Sequence, residues 1–265
     1  MTTAELVNLC REVQQIAATA GAFILNEAGK VNPSDIHLKH HNNLVSYVDT
    51  TSEKMIVDAL SRLLPEAGFL TEENTVAPSS KSLQWVIDPL DGTTNFLYRL
   101  PSYAVSIALC SDNQPILGVV FEANRKECFW AVKGGGAFLN NSQIQVSKTS
   151  ELSDALMSTG FPYYDFSILD NYIQALKTLM LQTKGIRRFG AAAVDLCYTA
   201  CGRFDAFFEH SLHAWDVAAG SLIVQEAGGI VTDFSGNNNF LFGNQIIASN
   251  PKLYAKLYQI LKHLI

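Results

Sequence analysis

Residues 85–96, Trp-Val-Ile-Asp-Pro-Leu-Asp-Gly-Thr-Thr-Asn-Phe, constrain the fold more tightly than any other stretch of the chain. Three apolar residues read as a buried strand, and that strand delivers Asp88 at its end. Pro89 cannot extend a central strand, so the backbone is expected to turn there. Asp91 follows three residues after Asp88, and Gly92 lets the backbone come close to a ligand. Thr93, Thr94 and Asn95 are residues that open helices, which would aim free N–H groups and a positive dipole end at the same spot as the acids. Two ionised carboxylates ~4 Å apart repel by ~1 kcal/mol in water and ~4 kcal/mol at an effective dielectric of 20. The nearest basic residues in sequence are Lys81 and Arg99, so a metal bridged to a phosphate is the ligand this segment suits. The plain alternative is a capped Asp-Gly turn.

The rest of the chain has to bring partners to that turn, and its size allows it. At 265 residues, 48% apolar and 17% charged, a sizeable core is available and general disorder is excluded. Apolar runs fall far short of the ~20 residues a bilayer crossing needs. The start, with Glu5, Arg11 and Glu12, is unlike a signal peptide, so a cytoplasmic protein with no membrane partner is expected. A net charge of −6 without a dense Lys/Arg cluster argues against nucleic acid as a partner. Five cysteines with no Cys-x-x-Cys pair fit a reduced compartment, with Cys197 and Cys201 on one helix face.

Apolar spacing from Leu6 to Ile24 predicts a first helix closed by Gly29. Thr50-Thr51-Ser52-Glu53 reads as a capping box, Thr50 at the N-cap and Glu53 three residues on, opening a helix that stops at Pro65. Short strands follow at 69–72, 85–87, 105–110, 116–121 and 128–132, with a hairpin turn at Asp112-Asn113-Gln114. Past Gly134-Gly135-Gly136 the pattern alternates. Helices are expected at 168–181 and 191–200, another from near Trp215 to Gly228-Gly229, and a last one from Pro251. Strands are expected at 185–189, 204–208, 230–232 and 245–248. The expectation is one α/β (α+β) domain over 1–265, an α+β half to about residue 150 and an α/β half beyond it, in layered sheets and helices.

Two further acidic element ends stand out. Thr71-Glu72-Glu73 closes an apolar strand, and since side chains alternate only one of the two acids can face a site. Trp215-Asp216 sets an acid at a helix start, where dipole stabilisation is the competing explanation. Other signals carry less. His210-x-x-His213 straddles a strand end and a turn, a poor zinc geometry, and His213 reads as packing near Trp215. Lys133-Gly134-Gly135-Gly136 lacks the P-loop spacing and reads as a tight turn. Asp195 and Asp205 are candidate hydrogen-bond partners of Arg187, Arg188 or Arg203. The last helix, with Leu253, Leu257, Ile260 and Leu261 on one face, reads as core.

Taken in order, Leu44-Val-Ser-Tyr-Val-Asp49, Thr71-Glu-Glu73, Asp88-Pro-Leu-Asp-Gly-Thr-Thr-Asn-Phe96, Gly185-Ile-Arg-Arg188 with Gly190-Ala-Ala-Ala193, Trp215-Asp-Val-Ala-Ala-Gly220 and Glu226-Ala-Gly-Gly229 resemble the inositol monophosphatase family over nearly the whole chain. That resemblance implies a layered αβαβα sandwich, of the kind shared with fructose-1,6-bisphosphatase, and a phosphomonoesterase that uses two or three Mg²⁺ ions, is often lithium-sensitive and is usually a homodimer. Carried over, Glu72, Asp88 and the Leu90 carbonyl would bind the first metal, and Asp88, Asp91 and Asp216 the second. Thr93 and Glu72 would orient the attacking water, with Asp49 hydrogen-bonded behind Thr93. The N–H groups of Gly92 and Thr93 would hold the phosphate beside Asp91. Gly190, Ala191, Ala192 and Glu209 would line the alcohol side, with Asp216 also touching substrate.

Two departures limit the transfer. Ala191 stands where well-known animal members have threonine, and Lys39 lies one position out of register with the family's loop lysine, which marks it as a weaker phosphate contact. The all-oxygen ligand set itself favours Mg²⁺ over zinc. The expected reaction is hydrolysis of a small polyol or sugar phosphate, inositol monophosphate first and fructose 1,6-bisphosphate or another sugar phosphate as the rival. A different class of role, a regulatory binding protein in a transcription or ribosome-associated complex with dispensable catalysis, is the second alternative.

Overall fold

The first turn of the first helix shows how local sequence sets the elements. In the computed structural model, which describes residues 1–40, 43–79, 81–162 and 165–264, α1 (Thr3–Glu27) opens on a capping box. The Thr2 hydroxyl accepts from the Glu5 N–H and the Glu5 carboxylate accepts from the Thr2 N–H. Leu6, Cys10, Val13, Ala17, Ala20 and Ile24 form its buried stripe, as the apolar spacing predicts. A small antiparallel hairpin follows, β1 (His37–His40) with β2 (Asn43–Val45).

The next helix, α2 (Tyr47–Leu63), is capped four residues before the predicted cap. Ser46, extended at φ −131°, is the N-cap: its hydroxyl accepts from the Val48 N–H, and Asp49 accepts from the Ser46 N–H at 2.8 Å. Thr50 therefore lies inside the helix. The same Ser/Thr-x-x-acid spacing occurs twice in succession, and the earlier copy wins because Glu53 is engaged elsewhere, on the loop described below.

A seven-stranded sheet comes next: β3 (Gly68–Thr71), β4 (Leu83–Asp91), then after the short α3 (Thr93–Leu97) come β5 (Ala104–Ser111), β6 (Gln114–Glu122), β7 (Glu127–Val132), β8 (Ala137–Leu139) and β9 (Ser142–Ile144). The strands lie side by side in chain order, β3 parallel to β4 and every later neighbour antiparallel. Asp112 and Asn113 both take positive φ in the β5–β6 turn, the twist-matched hairpin geometry. Pro89 does not end β4. The strand passes through it, and the pairing with β5 slips between Asp88 and Asp91, an irregularity that accommodates the missing N–H.

The second half alternates as expected, with one strand more than the sequence predicts, β10 (Leu156–Thr159), ahead of α4 (Leu169–Gln182), β11 (Gly185–Arg187), α5 (Ala192–Ala200), β12 (Ala206–His210), α6 (Ala214–Glu226), β13 (Ile230–Thr232), β14 (Gln245–Ser249) and α7 (Pro251–Leu261). The sheet order is β11-β10-β12-β14-β13, parallel up to β12 and antiparallel across β14.

Three apolar clusters define the layers. One fills the space between α1–α2 and the large sheet, with Val13, Ile56, Trp85 and Leu117 fully buried. The second lies between the two sheets around α5 and α6. The third covers the outer face of the small sheet with α4 and α7, where Leu253, Leu257 and Leu261 are core as predicted. The result is the expected α-β-α-β-α layering. α6, enclosed between sheets, is buried on all sides over 217–224 and almost wholly apolar there, as a buried helix must be. It approaches β6 tightly at Gly118, where a Cβ would stand 2.8 Å from the Ala219 carbonyl oxygen. No helix among the described residues is long and apolar enough to cross a membrane.

Candidate active site

The acids of β4 are placed by the chain that follows them. Asp88, 2% exposed, accepts the Leu90 N–H at 2.9 Å, which folds the Asp-Pro-Leu segment onto its own carboxylate. Asp91 reaches across to the other half of the molecule. Its two oxygens accept the N–H groups of Ala192 and Ala193 at 3.2 and 2.8 Å, supplying the anionic cap that Ala191 at the α5 N-cap cannot. Gly92 turns the chain at φ +89°, and a Cβ there would sit 2.9 Å from the Ser102 carbonyl oxygen, so the position admits no side chain. α3 follows directly, leaving the N–H groups of its first turn without intrahelical acceptors.

Thr93 on α3 meets Asp49 on α2. The hydroxyl lies 2.8 Å from Asp49 Oδ1 and 3.0 Å from the Leu90 carbonyl. Asp49 also accepts from the Ser46 N–H and hydroxyl, so it is a fixed, 1% exposed acceptor behind the threonine. Glu72 comes from the segment after β3. That segment wraps around the fully buried Glu53 carboxylate, which accepts from the Thr71 and Thr75 hydroxyls and from the N–H groups of Glu73 and Thr75 at 2.7–2.9 Å. Asp216, in the first turn of α6, accepts the His213 N–H at 2.6 Å and still faces the cleft.

These elements surround one cleft of about 140 Å³, open to solvent. Glu72, Asp91, Gly92, Thr93, Gly190, Ala191, Ala192, Glu209 and Asp216 all line it. Asp49, Asp88 and Leu90 are buried behind the lining. Of the acids at 72 and 73, Glu72 is the one on the cleft. Lys39 falls in β1, and its side chain lies outside the described residues. Glu209 is seated over Gly160, where any Cβ would collide with its carboxylate.

Electrostatically the acids behave as one group. Burial raises Asp88 well above the usual carboxylate range, and repulsion from Glu72, Asp91 and Asp216 raises it further. Asp91 is pushed up to about 7, chiefly by burial, against the lowering effect of the α5 N–H groups. Asp216 is raised by burial and then by Glu72. Glu209 is raised by burial and by Asp195, with Arg188 pulling the other way. A divalent cation among Glu72, Asp88, Asp91 and Asp216 would reverse this repulsion, and hard oxygen donors suit Mg²⁺. Among the described residues no three acidic, imidazole or thiol groups are gathered closely enough to hold a metal ion as they stand; the acids border an open space.

The weaker sequence signals find their places too, one of them by correction. Arg203 pairs with Glu127 rather than with Asp195 or Asp205. Asp205 instead accepts from the Ser147 hydroxyl and the Leu156 N–H. His213 stacks on Trp215 with ring centroids 4.7 Å apart, as packing predicts, and His210 turns to Asp165. The Gly134–Gly136 turn is clasped by Glu226, which accepts both glycine N–H groups. The sequence does not single out Ser211, which lies on the cleft, or the role of Glu53. Arg188, also on the cleft, stands out in sequence only within the 185–188 stretch and as a candidate partner of Asp195 or Asp205.

Comparison with known proteins is consistent along the whole chain. The profile of the inositol monophosphatase family matches residues 7–265. A putative Nus factor SuhB of Neisseria meningitidis serogroup B is 44% identical over 92% of this chain and 94% of its own length. The inositol-1-monophosphatase of Mesorhizobium japonicum is 37% identical over 94% of each chain. The crystal structure of the extragenic suppressor protein SuhB from Bartonella henselae superposes with a TM-score of 0.91 at 40% identity, covering 96% of this chain and 98% of that one.

Proposed function

The chain belongs to the inositol monophosphatase family, and on that footing we propose that it releases inorganic phosphate from a small polyol or sugar monoester, inositol monophosphate foremost, through Mg²⁺-assisted attack of water. The observation that carries this reading is the convergence of Glu72, Asp91 and Asp216 on one cleft, with Asp88 coupled to all three behind it.

Glu72, Asp88 and the Leu90 carbonyl would hold one Mg²⁺, and Asp88, Asp91 and Asp216 a second. Bound there, the ions supply a more acidic water and neutralise charge on the phosphoryl oxygens. The protein does the positioning. Asp49 accepts a hydrogen bond from the Thr93 hydroxyl, so the Thr93 Oγ lone pairs are free to accept from a water that they, with Glu72, aim at phosphorus. The N–H groups of Gly92 and Thr93 fix the phosphate oxygens. Glu209, Ala191 and Ala192 face the leaving alcohol. Ala191 offers no hydroxyl, so the α5 side of that wall recognises substrate by shape and backbone alone.

The deciding experiment is phosphate release with and without Mg²⁺ from inositol 1-phosphate and fructose 1,6-bisphosphate. Asp88→Asn is expected to abolish Mg²⁺-dependent release while leaving the circular dichroism spectrum unchanged; near-normal turnover in that variant refutes the assignment. Family resemblance also supports a cytoplasmic, lithium-sensitive homodimer.

A second reading rests on relatives named as Nus factors, the Neisseria protein and a 40% identical SuhB of Escherichia coli K12. On that reading the chain works in a regulatory assembly and its catalysis is dispensable. Complementation of a deletion strain by Asp88→Asn separates the two: growth restored favours the assembly, growth not restored favours the enzyme.

A further inference from the structure

The end of β12 carries a constellation that water activation leaves unused. β12 stops at His210, and Ser211 follows it onto the cleft wall, two residues beyond Glu209. Ser211 adopts φ +70°, a conformation natural to glycine and strained for a residue with a Cβ. Its backbone is fixed there, because the N–H groups of Ser211 and Leu212 both donate to the Asn244 carbonyl, at 2.7 and 3.2 Å. Glycine would fit without strain, so what the serine adds is its hydroxyl.

That hydroxyl is oriented by its neighbours. Ser211 Oγ lies 3.0 Å from His210 Nδ1, while His210 Nε2 faces Asp165 Oδ2 at 3.7 Å. The imidazole is buried beside Phe234, and desolvation holds it below its ordinary range, so near neutral pH it carries one ring proton. The Asp165 carboxylate, held low by the Ser167 hydroxyl and N–H, attracts that proton to Nε2. Nδ1 is then an acceptor and takes the Ser211 proton. The second polar neighbour of Oγ, the Asp165 carbonyl at 3.4 Å, is also an acceptor. Both contacts of Oγ thus call on its proton, and its lone pairs remain to accept from a donor.

We propose that Ser211 is a specificity-determining residue whose Oγ accepts a hydrogen bond from a hydroxyl on the leaving alcohol, and that His210, backed by Asp165, is the positioning residue that keeps Oγ an acceptor. This rests on the phosphomonoesterase reading and narrows it. Glu209 and Ser211 together make that wall of the cleft a pair of acceptors, suited to an alcohol that presents hydroxyl donors and poorly suited to one that has none.

The test compares kcat/KM for myo-inositol 1-phosphate with that for phenyl phosphate, whose leaving group bears no second hydroxyl, in Mg²⁺. Ser211→Ala and Ser211→Gly are expected to lower the inositol-to-phenyl ratio about tenfold, mainly through KM for inositol 1-phosphate, the effect of one lost hydrogen bond. Ser211→Gly relieves the backbone strain, so misfolding cannot imitate the result. His210→Phe is expected to lower the ratio similarly, and His210→Asn, whose side-chain oxygen can stand in for Nδ1, to recover most of it. A ratio within about twofold of the parent in both Ser211 variants, with phosphate still released, overturns this inference and leaves the family reading standing. No Mg²⁺-dependent release from either ester by the parent protein overturns both.

Discussion

Asp91 carries two duties that pull against each other. Its oxygens cap α5, which favours the ionised form, yet burial still pushes the side chain up to about 7. Its unfolded value is near 3.8, so the native state binds the proton more tightly between the two values. The stabilisation is complete below pH 3.8 and is lost as pH rises through about 7. Asp88 and Asp216 are raised in the same direction. Metal-free protein is therefore expected to melt at a lower temperature at about pH 8 than at about pH 5. Added Mg²⁺, which competes with those protons, should raise Tm more at the higher pH. Differential scanning fluorimetry in EDTA and in Mg²⁺ at the two pH values checks this; a pH-independent Mg²⁺ increment would contradict it.

At the scale of elements, the acid-bearing turns were legible because each combines an apolar run with a residue that breaks it. The strand into Asp88, the helix start at Asp216 and the break at Gly92 all follow that rule, and the alternation after residue 150 follows from apolar periodicity. What local pattern could not reveal is which of two equivalent local partners a side chain takes. Glu53 has the spacing of a capping-box acid, but its carboxylate accepts from four donors on the 71–75 segment. Ser211 is the same kind of case, since its meaning depends on Asn244 and Asp165, both distant in sequence. Glu53→Gln replaces one acceptor oxygen by a donor, which puts an NH₂ group against N–H and hydroxyl donors. The segment carrying Glu72 should loosen, and the Mg²⁺ concentration for half-maximal phosphate release should rise about tenfold, as it does when outer partners of metal ligands are lost. An unchanged Mg²⁺ requirement would confine Glu53 to a purely structural part.

Over the whole molecule, α6 is the piece on which both halves meet. It packs against β5, β6 and β7 of the large sheet on one side and β13 and β14 of the small sheet on the other, and it brings Asp216 to the cleft. Gly118 and Gly220 allow this closeness: a Cβ at 220 would stand 2.7 Å from Leu196 on α5. Gly118→Val is expected to force the large sheet off α6 and cost about 1–3 kcal/mol, the usual penalty of overpacking. Chemical denaturation should register this as a lower midpoint, and a midpoint equal to the parent's would show the contact to be slack. With Asp91 holding α5 from one sheet and Asp216 riding on the buried helix between both, the reaction chamber has no scaffold of its own. A hybrid made by swapping either half for a distant cousin's would inherit a misaligned vise, so substrate preference in this lineage is expected to drift by changes at the rim and not by exchange of parts.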